Sequence, residues 1–170
     1  TIAAGVDVTN NGTITADLGE LRINSVVGLG PASNLNAEAG ALLQLQANST
    51  SGATVTGAST ITGAGTVDTS GNTITVSGGS LTIDADALAD DEAVTVSGGT
   101  LSVTGADTIA SLTQNGTSTI NGTSTLTATG AFAQSAGTTG GTVTIAADTF
   151  TQSGGATVAA GTTVTSANAQ

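Results

Sequence analysis

The chemistry available to this chain of 170 residues is almost entirely carboxylate. It carries twelve Asp and Glu against a single base, Arg22, and has no His, Cys, Lys or Tyr. General acid–base and nucleophilic mechanisms ordinarily draw on the side chains that are missing. Cleavage of acidic polysaccharides, which some β-helices perform, sets clustered Asp beside Lys or Arg, and Arg22 alone cannot fill that role. A glycosidase-like carboxylate pair, for instance Asp84 with Asp107, remains formally open. Sugar subsites usually offer aromatic platforms, however, and the aromatics here are Phe132 and Phe150 only. The chain therefore reads as non-enzymatic and without a cofactor.

The densest charge is the stretch Asp84, Asp86, Asp90, Asp91 and Glu92. Oxygen ligands in a loop suit calcium, and the Asp-x-Asp start fits that chemistry. The EF-hand glycine and terminal Glu spacing do not follow, and the calcium β-roll nonapeptide is absent. Gly63-Ala64-Gly65-Thr66-Val67-Asp68 imitates it poorly. The five acids read first as a solvated corner, with calcium expected to leave thermal stability nearly unchanged. Asn11, Asn48, Asn115 and Asn121 each begin an N-x-[ST] sequon. Three of the four are Asn-Gly pairs, which is turn chemistry first.

Charge narrows the partners. At a net charge of −11 the chain lacks the cations that displace counterions from nucleic acid or seek anionic lipid. No stretch approaches the ~20 apolar residues that span a bilayer. The near-absence of Lys and Arg denies trypsin-like proteases their cleavage sites, which suits an extracellular protein. Thr1, with no initiator Met or signal peptide before it, reads as the start of a mature product or excised segment.

Such residues need elements to hold them, and those are set by an internal repeat. ITVSGGSLTI from Ile74 to Ile83 recurs twenty positions later as VTVSGGTLSV from Val94 to Val103. The frame continues through LTQNGT at Leu112, FAQSAG at Phe132 and FTQSGG at Phe150, and weakens upstream. The expected apolar ladder is Ile14, Leu35, Val55, Ile74, Val94, Leu112, Phe132 and Phe150. A second ladder follows each corner at Ile61, Leu81, Leu101, Ile120, Val143 and Val158. Gly78-Gly79, Gly98-Gly99, Asn115-Gly116 and Gly154-Gly155 lie between them, and Gly and Asn accept the positive φ of tight corners.

When like motifs recur every 20 residues, the natural neighbour of each strand is its own copy one coil away. The expected fold is all-β: a parallel β-helix, or β-solenoid, of about 20 residues per coil and about eight coils. At ~4.8 Å per coil that makes a rod of about 40 Å. Residues 1–52 form the less regular part and 53–170 the regular part of one continuous domain. Within the former, EAGALLQLQA is expected as a short helix or irregular coil. Outward threonines flank the first ladder at Thr13/Thr15, Thr54/Thr56, Thr73/Thr75 and Thr149/Thr151. A flat Thr-x-Thr face could meet ice or polysaccharide, but β-branched Thr is favoured on any strand surface. No amphipathic helix caps either end, so continuation by stacking is expected.

With VTVSGGTLSV, LTQNGTSTI and FTQSGGATV in view, the chain resembles the repeat regions of bacterial autotransporter passengers and filamentous-haemagglutinin-like adhesins. The resemblance runs over roughly Ala53 to Thr165 and more loosely before it. It implies a right-handed β-helix, export to the bacterial cell surface, and a structural or adhesive role in attachment, biofilm or a filament. The implied partners are copies of itself stacked end to end or further solenoid in a longer chain, with a surface or glycan as ligand. No specific binding residue carries over. A phage fibre segment, also rich in Thr, Gly and Ser, is the alternative.

Overall fold

The computed structural model describes residues 2, 8–24, 27–45, 51–62, 66–69 and 71–169. Among these, every regular element is a strand and every strand pairing is parallel. The chain is a β-solenoid with three faces, and the strands before and after residue 53 stack without a break. The second face alone stacks eight strand segments, from Thr13–Ala16 to Thr157–Val158, in keeping with the expected coil number.

Alternation along each strand decides what lies inside. In Thr73–Val76, Ile74 and Val76 point inward while Thr73 and Thr75 face out. Stacking that pattern gives two inward columns on the first face. One runs Val8, Val27, Ala53, Ile74, Val94, Leu112, Phe132, Phe150, and its neighbour runs Asn10, Leu29, Val55, Val76, Val96, Gln114, Gln134, Gln152. The core is one or two side chains wide, so aliphatics fill it and large aromatics are unnecessary. Its largest buried side chain, Phe132, stacks on Phe150 with ring centroids 5.0 Å apart. Corners are tight enough to require glycine. A Cβ on Gly99, at φ +72°, would stand 2.4 Å from the carbonyl oxygen of Gly79 one coil below.

The expected ladder is right from Ile74 to Phe150 and wrong before it. Ile14 and Leu35 belong to the second face, in the column Ile14, Leu35, Ile61, Ile83, Val103. Val55 sits one column aside, stacked under Val76, and Ala53 underlies Ile74. The cause is a long coil: Val27 pairs with Ala53, twenty-six positions on, whereas Ile74 pairs with Val94 after twenty. Counting twenty from Leu35 therefore crosses from the second face to the first. The long coil passes through residues 46–50, outside the described residues. In the second ladder Leu81, Leu101, Ile120 and Val158 hold, but Ser59 underlies Leu81 and Thr139 takes the place given to Val143. EAGALLQLQA holds the strand Leu42–Leu45 rather than a helix. Leu43 and Leu45 are buried, and the strand pairs with both Glu20–Ile23 and Thr66–Asp68. Tertiary pairing here overrides a local helix preference.

The third face is the irregular one. Its strands Glu20–Ile23, Leu42–Leu45 and Thr66–Asp68 form a separate small sheet. The next coil contributes only a single bridge, Val67 to Leu88, before pairing resumes at Asp107–Ile109. The acidic residues gather around that interruption.

Candidate functional site

The five acids singled out from the sequence do not act together. Asp84, Asp86 and Asp90 are exposed. Asp84 accepts the backbone N–H of Ala85 at 2.9 Å, and Asp86 turns the chain at φ 50°. These three are a solvated corner, as expected. Asp91 and Glu92 are different, because the coil brings them onto Asp68 of the coil below. One carboxylate oxygen from each of Asp68, Asp91 and Glu92 lies within 4.8 Å of the others.

Glu92 is the centre of that group. It is 0% exposed, with its Oε1 accepting the Thr69 N–H at 2.6 Å and approached by the Thr69 hydroxyl at 3.4 Å. Its Oε2 is buried and has no hydrogen-bond partner. Burial pushes the Glu92 carboxyl up to about 8; the Thr69 N–H pulls the other way, and the like charges of Asp91 and Asp68 add to the rise. Beneath it, the corner Thr69–Asn72 is held by Thr69 Oγ1 donating to the Asn72 carbonyl at 2.8 Å and Asn72 Nδ2 donating to the Thr69 carbonyl at 2.6 Å. Gly71, at φ +70°, lets Asp91 lie close above it. Gln44 reaches in from the coil below, donating Nε2 to Asp68 Oδ2 at 3.0 Å, and its own Oε1 is a second buried acceptor without a partner.

Asp107 serves a different purpose. It points inward on the third face, where the next coils place Leu126, Ile145 and Val164. Its carboxylate accepts the Leu88 N–H at 3.2 Å and the Thr108 N–H at 2.8 Å. It thus supplies the acceptor that the interrupted strand ladder leaves out at Leu88. Burial raises its pKa to about 6, against the opposing pull of those backbone N–H groups. Asp84 is exposed at the corner, whereas Asp107 is buried on the third face and engaged by the Leu88 and Thr108 N–H groups.

The inward glutamines form a column that sequence reading treated only as part of the repeat. Gln134 Nε2 donates to Gln114 Oε1 at 3.0 Å, and Gln152 Nε2 donates to Gln134 Oε1 at 3.2 Å. Each amide also donates to a backbone carbonyl at the next corner: Gln114 to Thr138, Gln134 to Thr157, Gln152 to Ala156. The buried Thr139 hydroxyl closes the network on Gln114 Oε1 at 2.8 Å. Leu-Thr-Gln, Phe-Ala-Gln and Phe-Thr-Gln at the same register were the signal, since an inward glutamine needs a stacked partner.

The outward threonines also differ from the array expected. Thr54, Thr75, Thr95 and Thr113 stack in one column of the first face. Thr13 and Thr15 lie on the second face, which has its own column Thr100, Thr119, Thr138, Thr157. The third face carries Thr125, Thr144 and Thr163. Hydroxyl columns thus occur on all three faces. Arg22, the single base, is paired with Glu20 and stands two strands below Asp68 in the column Arg22, Gln44, Asp68. Of the sequon residues, Asn11 is exposed, Asn115 and Asn121 are half-buried, and Asn48 lies outside the described residues.

The fold and these columns define the class: a parallel β-solenoid repeat protein. Comparison with protein-family models, with curated proteins and with solved structures finds no match to this chain.

Proposed function

We propose that the chain is a non-catalytic structural module of an exported bacterial surface protein, a solenoid stalk or a stacking unit of an extracellular filament. The observation that carries this reading is the in-register stacking of parallel strands, in which the inward column Ile74, Val94, Leu112, Phe132, Phe150 and its amide neighbours repeat from coil to coil. Each coil covers the apolar and amide surface of the one before it, a geometry that serves a rod rather than a recess for a ligand. Export and surface display rest on the resemblance to autotransporter and haemagglutinin-like repeats and on the near-absence of basic residues.

Recognition of ice or polysaccharide through a threonine face is the competing reading. The in-register column from Thr54 to Thr113 favours it, and the similar columns on the other two faces weigh against a single recognition face. Electron microscopy of the purified chain separates the two. Rods lengthened by end-to-end stacking with a ~4.8 Å axial repeat are expected. Monodisperse short rods that produce thermal hysteresis would replace the structural reading with ice binding, and an obligate interlocked trimer would replace it with a fibre.

A further inference from the structure

We propose that Asp68, Asp91 and Glu92 form a calcium site that ties two successive coils together where the third face is interrupted. The three carboxylates offer oxygens within 4.8 Å of one another. Oxygens bound to one calcium at ~2.3–2.6 Å lie up to about 5 Å apart, so this spread needs little adjustment. Magnesium, at ~2.0–2.1 Å, spans only about 4.2 Å and would require the group to contract.

The independent pointer to a cation is Glu92 Oε2. The residue is fully buried and belongs to the same cluster, and this atom has no hydrogen-bond partner. A buried carboxylate oxygen without a donor is costly unless a charge or metal meets it. No basic side chain can do so, because Arg22 is engaged by Glu20. The neighbouring Gln44 Oε1 repeats the pattern: a buried acceptor, lacking a donor, on the amide that holds Asp68. Two unmet acceptors beside three carboxylates call for a hard, oxygen-seeking cation.

The position gives the ion a task. Strand pairing on the third face falls to the single Val67–Leu88 bridge at this level, with the bond from Thr69 N–H to Glu92 Oε1 beside it. An ion held by Asp68 below and by Asp91 and Glu92 above would restore a cross-link there. Asp91 is exposed, which provides a route of entry and room for water ligands. With only three side chains as ligands, the affinity belongs to the weak extracellular range, with a dissociation constant on the order of 10⁻⁴ M. Asp84, Asp86 and Asp90 take no part in this site, which joins Asp91 and Glu92 to Asp68 instead.

The test uses the 170-residue chain stripped with chelator, then titrated with calcium chloride by calorimetry and melted with and without it. One saturable site per chain is expected, with the melting midpoint rising by roughly 5 °C at calcium about thirty times the dissociation constant. Asp91→Asn, at an exposed position, should weaken calcium at least about tenfold and, by removing a like charge beside Glu92, should not lower metal-free melting, whereas Asp84→Asn should bind as the parent does. Glu92→Gln should abolish the calcium-dependent shift, its folding checked by circular dichroism. The proposal fails if the folded chain shows no saturable calcium binding or if Asp91→Asn binds as tightly as the parent. An equal response to magnesium would overturn the assignment to calcium.

Discussion

Among the stretches of this rod that bury polar side chains, two do so by opposite means. Between Gln114 and Gln152 three inward amides stack coil on coil, each donating to the one below or to a corner carbonyl, and the buried Thr139 hydroxyl completes the set. An amide both donates and accepts, so an in-register column of amides can satisfy itself. Around Glu92 the groups brought together are three carboxyls and the Gln44 amide, which offer more acceptor oxygens than donors. Stacking cannot satisfy them, and Glu92 Oε2 and Gln44 Oε1 are left over. Repetition solves the first problem and leaves the second to an outside cation.

The largest expected effect probes the packing that the amide region relies on. Phe132→Ala removes the largest fully buried side chain and its ring contact with Phe150, and should cost about 3–5 kcal/mol in chemical denaturation. A loss below about 1 kcal/mol would mean the core collapses around the gap. Next is pH, read at Asp107. Its folded pKa, about 6, lies above its ordinary value of 3.8, so the native state holds the proton more tightly. That contribution is fully present below about pH 3.8 and is lost as pH rises through about 6. The chain should thus be less stable at pH 7 than at pH 4 by on the order of 2–3 kcal/mol from this group. Asp107→Asn, measured by melting across that range, should reduce the slope and leave the part due to Glu92, whose raised pKa of about 8 acts in the same direction; an unchanged slope would remove Asp107 from the account.

A smaller effect tests the ladder itself. Gln134→Leu keeps the volume but removes the amide donor to buried Gln114 Oε1 and to the Thr157 carbonyl, and should destabilise by about 1–2 kcal/mol. If Gln134→Leu proves neutral or stabilising, the column is apolar in its demands and the comparison with the acidic corner breaks down.

The fold was open to sequence reading where coils have nearly one length. From Ile74 onward glycine-bearing corners mark each turn, and the recurring motif, at steps of 18 to 20 residues, lands on the true column through Phe150. Before Ala53 it fails, because the coil from Val27 takes twenty-six positions and the count slips from one face to the next. Periodicity reports the average coil, not an insertion within it. The acidic corner was half legible. Asp91 and Glu92 stood out as charge, but Asp68 lies a full coil upstream, and only the Val67–Leu88 register brings it alongside. A search for acids one coil apart would have found it. Burial of Glu92 had no local signal, since the residue adjoins exposed Asp90 and Asp91 and turns inward only through its bond to Thr69.

Hydrogen exchange of the chain, with calcium and with chelator, tests the contrast between the two regions most directly. Calcium should slow exchange of amides near residues 66–72 and 86–92 at least about tenfold and leave those of 112–139 unchanged. Uniform protection along the rod, or none at the acidic corner, would contradict the claim that amides close one region and a cation the other.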